Sequence, residues 1–205
     1  MRYLQFVSIV LIFCSCSVPY KNLKSLQADA SCISKFSPQF TSSLYNTNVN
    51  VIGKHLSGLL IIKAMPDSST RMVFTSETGL TFFDFEYSRE GNFKVHNIIR
   101  QMNRKAVIRT LQKDFELVLM RNLNAEQARS AEDAAYRYTI FPQGKEYNYY
   151  ITDPGCSQLE RIEKTSKRKI KVSVIMKNYR NGVPDTIGIT HHNFNFNIGL
   201  KLLER

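Results

Sequence analysis

The chain has 205 residues, with 28 Lys and Arg against 17 Asp and Glu, a formal charge of +11 and 43 % hydrophobic residues. That composition is ordinary for a globular protein and supplies one domain with a real core rather than two. The basic balance raises the question of nucleic acid, but most of the cations are spread one per turn or strand and the N-terminus reads as an export signal, so no nucleic-acid partner is expected.

Residues 1–15, MRYLQFVSIVLIFCS, place one Arg before an apolar run from Phe6 to Phe13 and end in small residues. This is the layout of a cleaved secretory signal, too short for a helix to cross a bilayer core of about 30 Å. The stretch FCSC at 13–16 resembles a bacterial lipobox, which makes Cys16 the expected site of lipidation, with Cys14 the poorer candidate behind bulky Phe13. Stable anchoring takes more than one acyl chain, so a multiply acylated Cys16 would hold the protein on a membrane. In lipoproteins of this kind acids just after the cysteine often mark transport to the outer face of the cell. None occurs from Ser17 to Asn22, which favours an outer-membrane anchor facing the periplasm. The expected division is a signal at 1–15, a lipidated tether at 16–35 and a single domain at 36–205.

With Cys14 removed and Cys16 acylated, Cys32 and Cys156 remain in an oxidising compartment. They form either a bridge or two separate buried thiols.

Strands are expected at 40–52, 56–65, 71–76, 80–88 and 92–99, where apolar and polar residues alternate between turns rich in Pro, Gly, Asp and Ser. Within 80–88, Phe83, Phe85 and Tyr87 share one face and Phe82, Asp84 and Glu86 the other. Residues 103–121, NRKAVIRTLQKDFELVLMR, break the pattern. Val107, Ile108, Leu111, Phe115, Val118 and Leu119 form one apolar stripe, so this is an amphipathic helix, with Asn103 expected as N-cap and Asn122 closing the other end. Asn124 and Gln127 have capping-box spacing and mark a short second helix. Strands resume near 136–140, 147–151, 158–164, 170–177, 184–191 and 194–202. In the last, Phe194, Phe196, Ile198, Leu200 and Leu202 share a face.

Ten or eleven antiparallel strands with one long helix predict a mainly β (α+β) fold, a strongly curved half-barrel whose concave face is covered by the helical stripe. Between them lies room for something greasy, lined by Phe83, Phe85, Phe194, Phe196 and the stripe.

The order of signal, lipobox cysteine, hairpin strands, amphipathic helix and further hairpins resembles the LolA/LolB-like carriers of lipoprotein localisation, and in its lipid anchor their LolB-like branch. The phrases SGLLIIK at 57–63 and TSETGLT at 75–81 are similar to that family's early strands. The resemblance implies a cavity that receives acyl chains or lipoproteins, no cofactor, a periplasmic carrier as partner, and a protruding leucine in an early hairpin loop, for which Leu80 is the best match. The contrasting expectation is an accessory envelope lipoprotein whose interior is packed by its own side chains and which acts through a protein partner.

No catalytic constellation stands out. His191 and His192 are adjacent on a strand and so point to opposite faces, one inward and hydrogen-bonded, one in water. His55 and His96 are isolated, and Asp84 and Glu86 read as strand acids facing cross-strand cations. The basic cluster Lys164, Lys167, Arg168, Lys169 and Lys171 is a solvated turn, or else a contact for anionic lipid head groups.

Overall fold

The computed structural model describes residues 20–51, 53–121 and 123–203. The signal, Cys14, Cys16 and Asn122 lie outside them. The described residues form thirteen strands: β1 (Lys24–Leu26), β2 (Ser42–Val51), β3 (Lys54–Ala64), β4 (Thr70–Thr75), β5 (Thr81–Tyr87), β6 (Phe93–Ile98), β7 (Arg129–Glu132), β8 (Arg137–Gln143), β9 (Glu146–Thr152), β10 (Leu159–Ser166), β11 (Ile170–Arg180), β12 (Val183–His191) and β13 (Phe196–Leu202). All join one antiparallel sheet in the order β1-β7-β8-β9-β10-β11-β12-β13-β2-β3-β4-β5-β6. The helices are α1 (Ser31–Ser34) and α2 (Lys105–Val118).

This corrects the expected half-barrel of ten or eleven strands. The sheet is open, with β1 and β6 as its edges, and has thirteen strands. The two additional strands, β1 and β7, are three and four residues long with the sequences KSL and RSAE. Strands so short and polar show no alternation to read, and they are defined by pairing with each other and with β8. The helices differ as well. The short helix expected at 124–127 is a 3-10 turn, Ala125–Gln127, in which the Asn124 side chain accepts from the Glu126 amide rather than forming a box with Gln127. The second α-helix, α1, precedes the main sheet strands.

The long helix is shorter than the stripe. Arg104, not Asn103, is the N-cap, and its backbone is extended (φ −128°, ψ 133°). At the other end Met120 turns into the left-handed region (φ 48°). The Met120 amide donates to Leu117 O at 3.1 Å and the Arg121 amide to Glu116 O at 3.0 Å, which is a Schellman ending with Met in the place glycine usually takes.

Alternation along β2 is clean: Tyr45, Thr47 and Val49 are buried and Asn46, Asn48 and Asn50 exposed. β5 departs from it. Phe74 of β4 pairs with Phe83 and Thr75 with Thr81, so Phe82 is the extra residue of a bulge. A bulge turns adjacent side chains toward one face, and Phe82 and Phe83 are both buried, at 7 % and 3 % exposure. One close approach on this side requires glycine: a Cβ on Gly58 would lie 2.0 Å from the Thr75 carbonyl oxygen.

α2 lies on the inner face. Phe115 packs on Phe83 of β5 (ring centroids 5.8 Å), Asp114 hydrogen-bonds His191 of β12, and Lys113 pairs with Glu146 of β9 at 3.6 Å. β9 and β5 are eight steps apart in the sheet, roughly 38 Å if it were flat. A helix is only about 10–12 Å across with its side chains, so the sheet must bend around α2 for one helix to touch both.

Candidate functional site

A cavity of about 680 Å³ lies between α2 and the inner faces of β2–β5 and β13. Its deep wall is apolar and buried: Val49 and Leu60, then Phe74, Phe82 and Phe83, then Ile198, closed from above by Leu111 and Phe115 of α2. Thr47, the polar residue of that wall, gives its hydroxyl to Tyr45 O of its own strand at 3.3 Å. Exposure locates the mouth. Lys54, Leu80, Gln101, Ala106 and Phe194 line the cavity and are exposed. The register puts these groups at one end of the sheet, since Val51 pairs with both Lys54 and Phe196 there, and the β4–β5 turn and the β6–α2 connection leave the sheet toward the same end.

Of the residues the sequence assigns to an apolar site, Phe83, Val107, Leu111, Phe115, Phe194 and Phe196 line this space. Phe85 is fully buried behind Phe83, stacked on it at 4.3 Å and edge-on to Phe93 at 5.1 Å. Val118 is fully buried in the core, Leu119 packs on that core half-buried, and Ile108 is half-buried. None of these four lines the cavity. Leu80 is 56 % exposed at the mouth, in a turn where Gly79 takes φ 86° and the Leu80 amide donates to Ser76 Oγ at 3.0 Å. Cys32 and Cys156 form a disulfide with Cα atoms 5.9 Å apart, joining α1 to the β9–β10 turn.

Sequence reasoning missed the β2–β3 side of the site, Thr47, Val49, Val51, Leu56 and Leu60, together with Ile99 and Met102 of the β6–α2 connection. The alternation of β2 shows which residues turn inward. Which inward residues lie under the helix's first turns rather than in solid core depends on the angle at which α2 crosses the sheet, and no local pattern carries that.

The C-terminal half of α2 is fastened and the N-terminal half roofs the cavity. Gln112 O accepts from Tyr87 OH at 3.0 Å. Just beyond the helix Arg121 donates to Ser88 O and lies over the Tyr87 ring at 5.6 Å. Asp114, 2 % exposed, is hydrogen-bonded to His191 Nε2 at 2.9 Å. Burial pushes the Asp114 carboxyl up, against the lowering pull of the His191 hydrogen bond and charge and of the Lys164 charge. The His191 ring in turn lies 4.8 Å from Phe194 and 4.9 Å from Phe196, so the fastening reaches the cavity wall. His192 faces out and bonds Ser173 Oγ at 2.8 Å.

The acids of β5 are occupied. Asp84 takes a two-pronged contact from Arg71, both bonds 2.7 Å, and Glu86 bonds His96 Nε2 at 2.6 Å. In the basic cluster, Lys171 and Lys164 converge with Lys113 on Glu146, while Lys167, Arg168 and Lys169 stand exposed in the turn. Among the described residues no helix is long and apolar enough to cross a membrane.

No family model and no curated protein matches this chain. Among solved structures it is similar to a DUF1329 family protein from Desulfovibrio piger, at 8 % identity and a TM-score of 0.46, over 85 % of this chain and 88 % of that one. It is also similar to a "putative outer membrane lipoprotein-sorting protein domain" from Vibrio parahaemolyticus, at 7 % identity and a TM-score of 0.47, over 85 % of this chain and 90 % of that one. At these values neither likeness carries an argument about activity, which rests on the cavity.

Proposed function

We infer that this protein is a lipid-anchored lipoprotein of the bacterial envelope that shields acyl chains in the cavity between its sheet and α2, as an acceptor or carrier of acylated cargo. The observation that carries this reading is the cavity. Its 680 Å³ falls in the range of roughly 300–1,000 Å³ typical of small-ligand sites, and its deep wall offers hydrocarbon with no charge and no unpaired donor. Such a wall recognises chain length and shape, at about 0.8 kcal/mol for each methylene removed from water. The same space speaks against an interior packed by its own side chains. The reading also takes Cys16 as the acylated residue, the outer membrane facing the periplasm as its place, a periplasmic carrier as the donor of cargo, and no chemical step on that cargo.

The test is native mass spectrometry of the mature chain beginning after Cys16, prepared without detergent and offered a lipopeptide. Retained lipid or uptake of the lipopeptide is expected. Val107→Arg and Thr110→Arg, both at half-buried positions on the roof, should abolish uptake while circular dichroism still reports the sheet. A clean apo mass with no uptake by the unaltered protein overturns the reading.

A further inference from the structure

The deep wall of the cavity carries no charge, but the charges around its mouth are mostly positive. Lys54, at the start of β3, is the charged residue among those lining the cavity, and it is exposed there. The β6–α2 connection also borders the opening: its Ile99, Gln101 and Met102 line the cavity, as does Ala106 in the first turn of α2. Between these residues stand Arg100, Arg104 and Lys105, all exposed and, among the described residues, without an ion-pair partner. No acid occurs anywhere from 91 to 113. The first turn of α2 has neither an acidic residue nor a side-chain cap, so the positive end of the helix dipole adds to the same potential. Against these groups, Glu77 in the β4–β5 turn is the one acid among the described residues of the loops that border the mouth.

An apolar pocket that opens through a cationic collar matches an amphiphile of one polarity. Unpaired cations at a mouth repel one another and contribute nothing to holding a hydrocarbon chain, whereas an anion fixed at the chain's head neutralises them. Resting on the acyl-binding reading above, we propose that the ligand of this cavity is an acyl chain bearing an anionic head group, held with the chain under α2 and the phosphate or carboxylate among Lys54, Arg100, Arg104 and Lys105. The collar selects the head and the wall selects the tail.

The experiment compares three single-chain ligands of equal chain length below their micelle concentrations: lysophosphatidylglycerol, the free fatty acid and zwitterionic lysophosphatidylcholine. Titration uses the chain from residue 17 onward, which holds every described element. Both anionic ligands should bind tighter than the zwitterion by about tenfold at low salt, several exposed charge contacts acting together. The gap should shrink at high ionic strength and in the Lys54→Gln and Arg104→Gln variants, because the anionic ligands lose more affinity than the zwitterion. A preference for only one anionic ligand assigns the source as phosphodiester or carboxylate and supports the inference. Equal affinity for all three, or a gap that survives both substitutions and salt, overturns the inference and leaves the acyl cavity standing. Failure of every ligand to bind removes both.

Discussion

Glu146 shows how one side chain at the start of a strand organises its surroundings. Burial pushes its carboxyl up, but the hydrogen bond from Lys171 and the charges of Lys164 and Lys113 outweigh that and hold it at about 2. Lys164 is itself buried, which pushes its ammonium down, with Lys113 acting in the same direction. A carboxyl held below its ordinary value stabilises the fold fully above that value and ceases to do so as pH falls toward the depressed one. Stability is therefore expected to decline between pH 4.5 and about 2 as Glu146 protonates. Glu146→Gln should be the less stable protein at neutral pH, since it leaves three lysines without their anion, and the difference should close toward pH 2. Urea midpoints measured across that range check it, and a constant difference would exclude the cluster as its source. Other single residues were legible from spacing: of the adjacent pair, His191, the last residue of β12, turns in and His192, just past it, turns out. Phe82 was not. Its burial beside Phe83 depends on the bulge opposite Phe74, and a bulge is a property of the pairing of two strands rather than of either sequence.

Among the elements, α2 was the most legible, because fourteen residues at helical period carry their own signal. Its ends were less so. Asn103 has the right chemistry for a cap, but it belongs to the turn that leaves β6, its backbone N–H donating to Ile99 O at 3.1 Å, and the helix begins one residue later with Arg104 as N-cap. What keeps α2 in place is the buried contact of Asp114 with His191, together with Gln112 and Arg121 near its end. Asp114→Ala leaves the His191 side chain, 6 % exposed, without its acceptor, and a buried donor left unpaired costs about 1–3 kcal/mol. A urea midpoint lowered at unchanged m-value is the expected result, with Asp114→Asn losing less because an amide oxygen still accepts. β1 and β7 lie at the opposite extreme of legibility, since three or four polar residues become strands only by lying against a neighbour.

For the molecule as a whole, the number of strands was underestimated because its far edge is built from those two, and the openness of the sheet is a fact about edges that never meet. The cavity was legible as a kind of surface, aromatic strands under an apolar stripe, while its position toward the β2–β5 side was not. The disulfide acts at this scale. It closes a loop across 124 residues of sequence separation, and reducing it should cost about 5 kcal/mol by the loop-entropy model. Unfolding with and without reductant measures that, and thiol titration of the unreduced chain should find neither Cys32 nor Cys156.

The packing of Tyr20 bears on how the domain would sit on a membrane if Cys16 is acylated. Its ring stacks on Tyr149 at 4.6 Å and lies 5.1 Å from Tyr138, and its hydroxyl donates to Glu163, so the chain is fastened to the outer face of β8–β10 from its first described residue. On the reading that Cys16 is acylated, only three residues, Ser17 to Pro19, separate the lipid from this fastening, a leash of at most about 14 Å. A domain on so short a leash has little freedom to tumble or to reach across the periplasm. On that reading it would work close to the bilayer surface, and its cargo would have to travel to it.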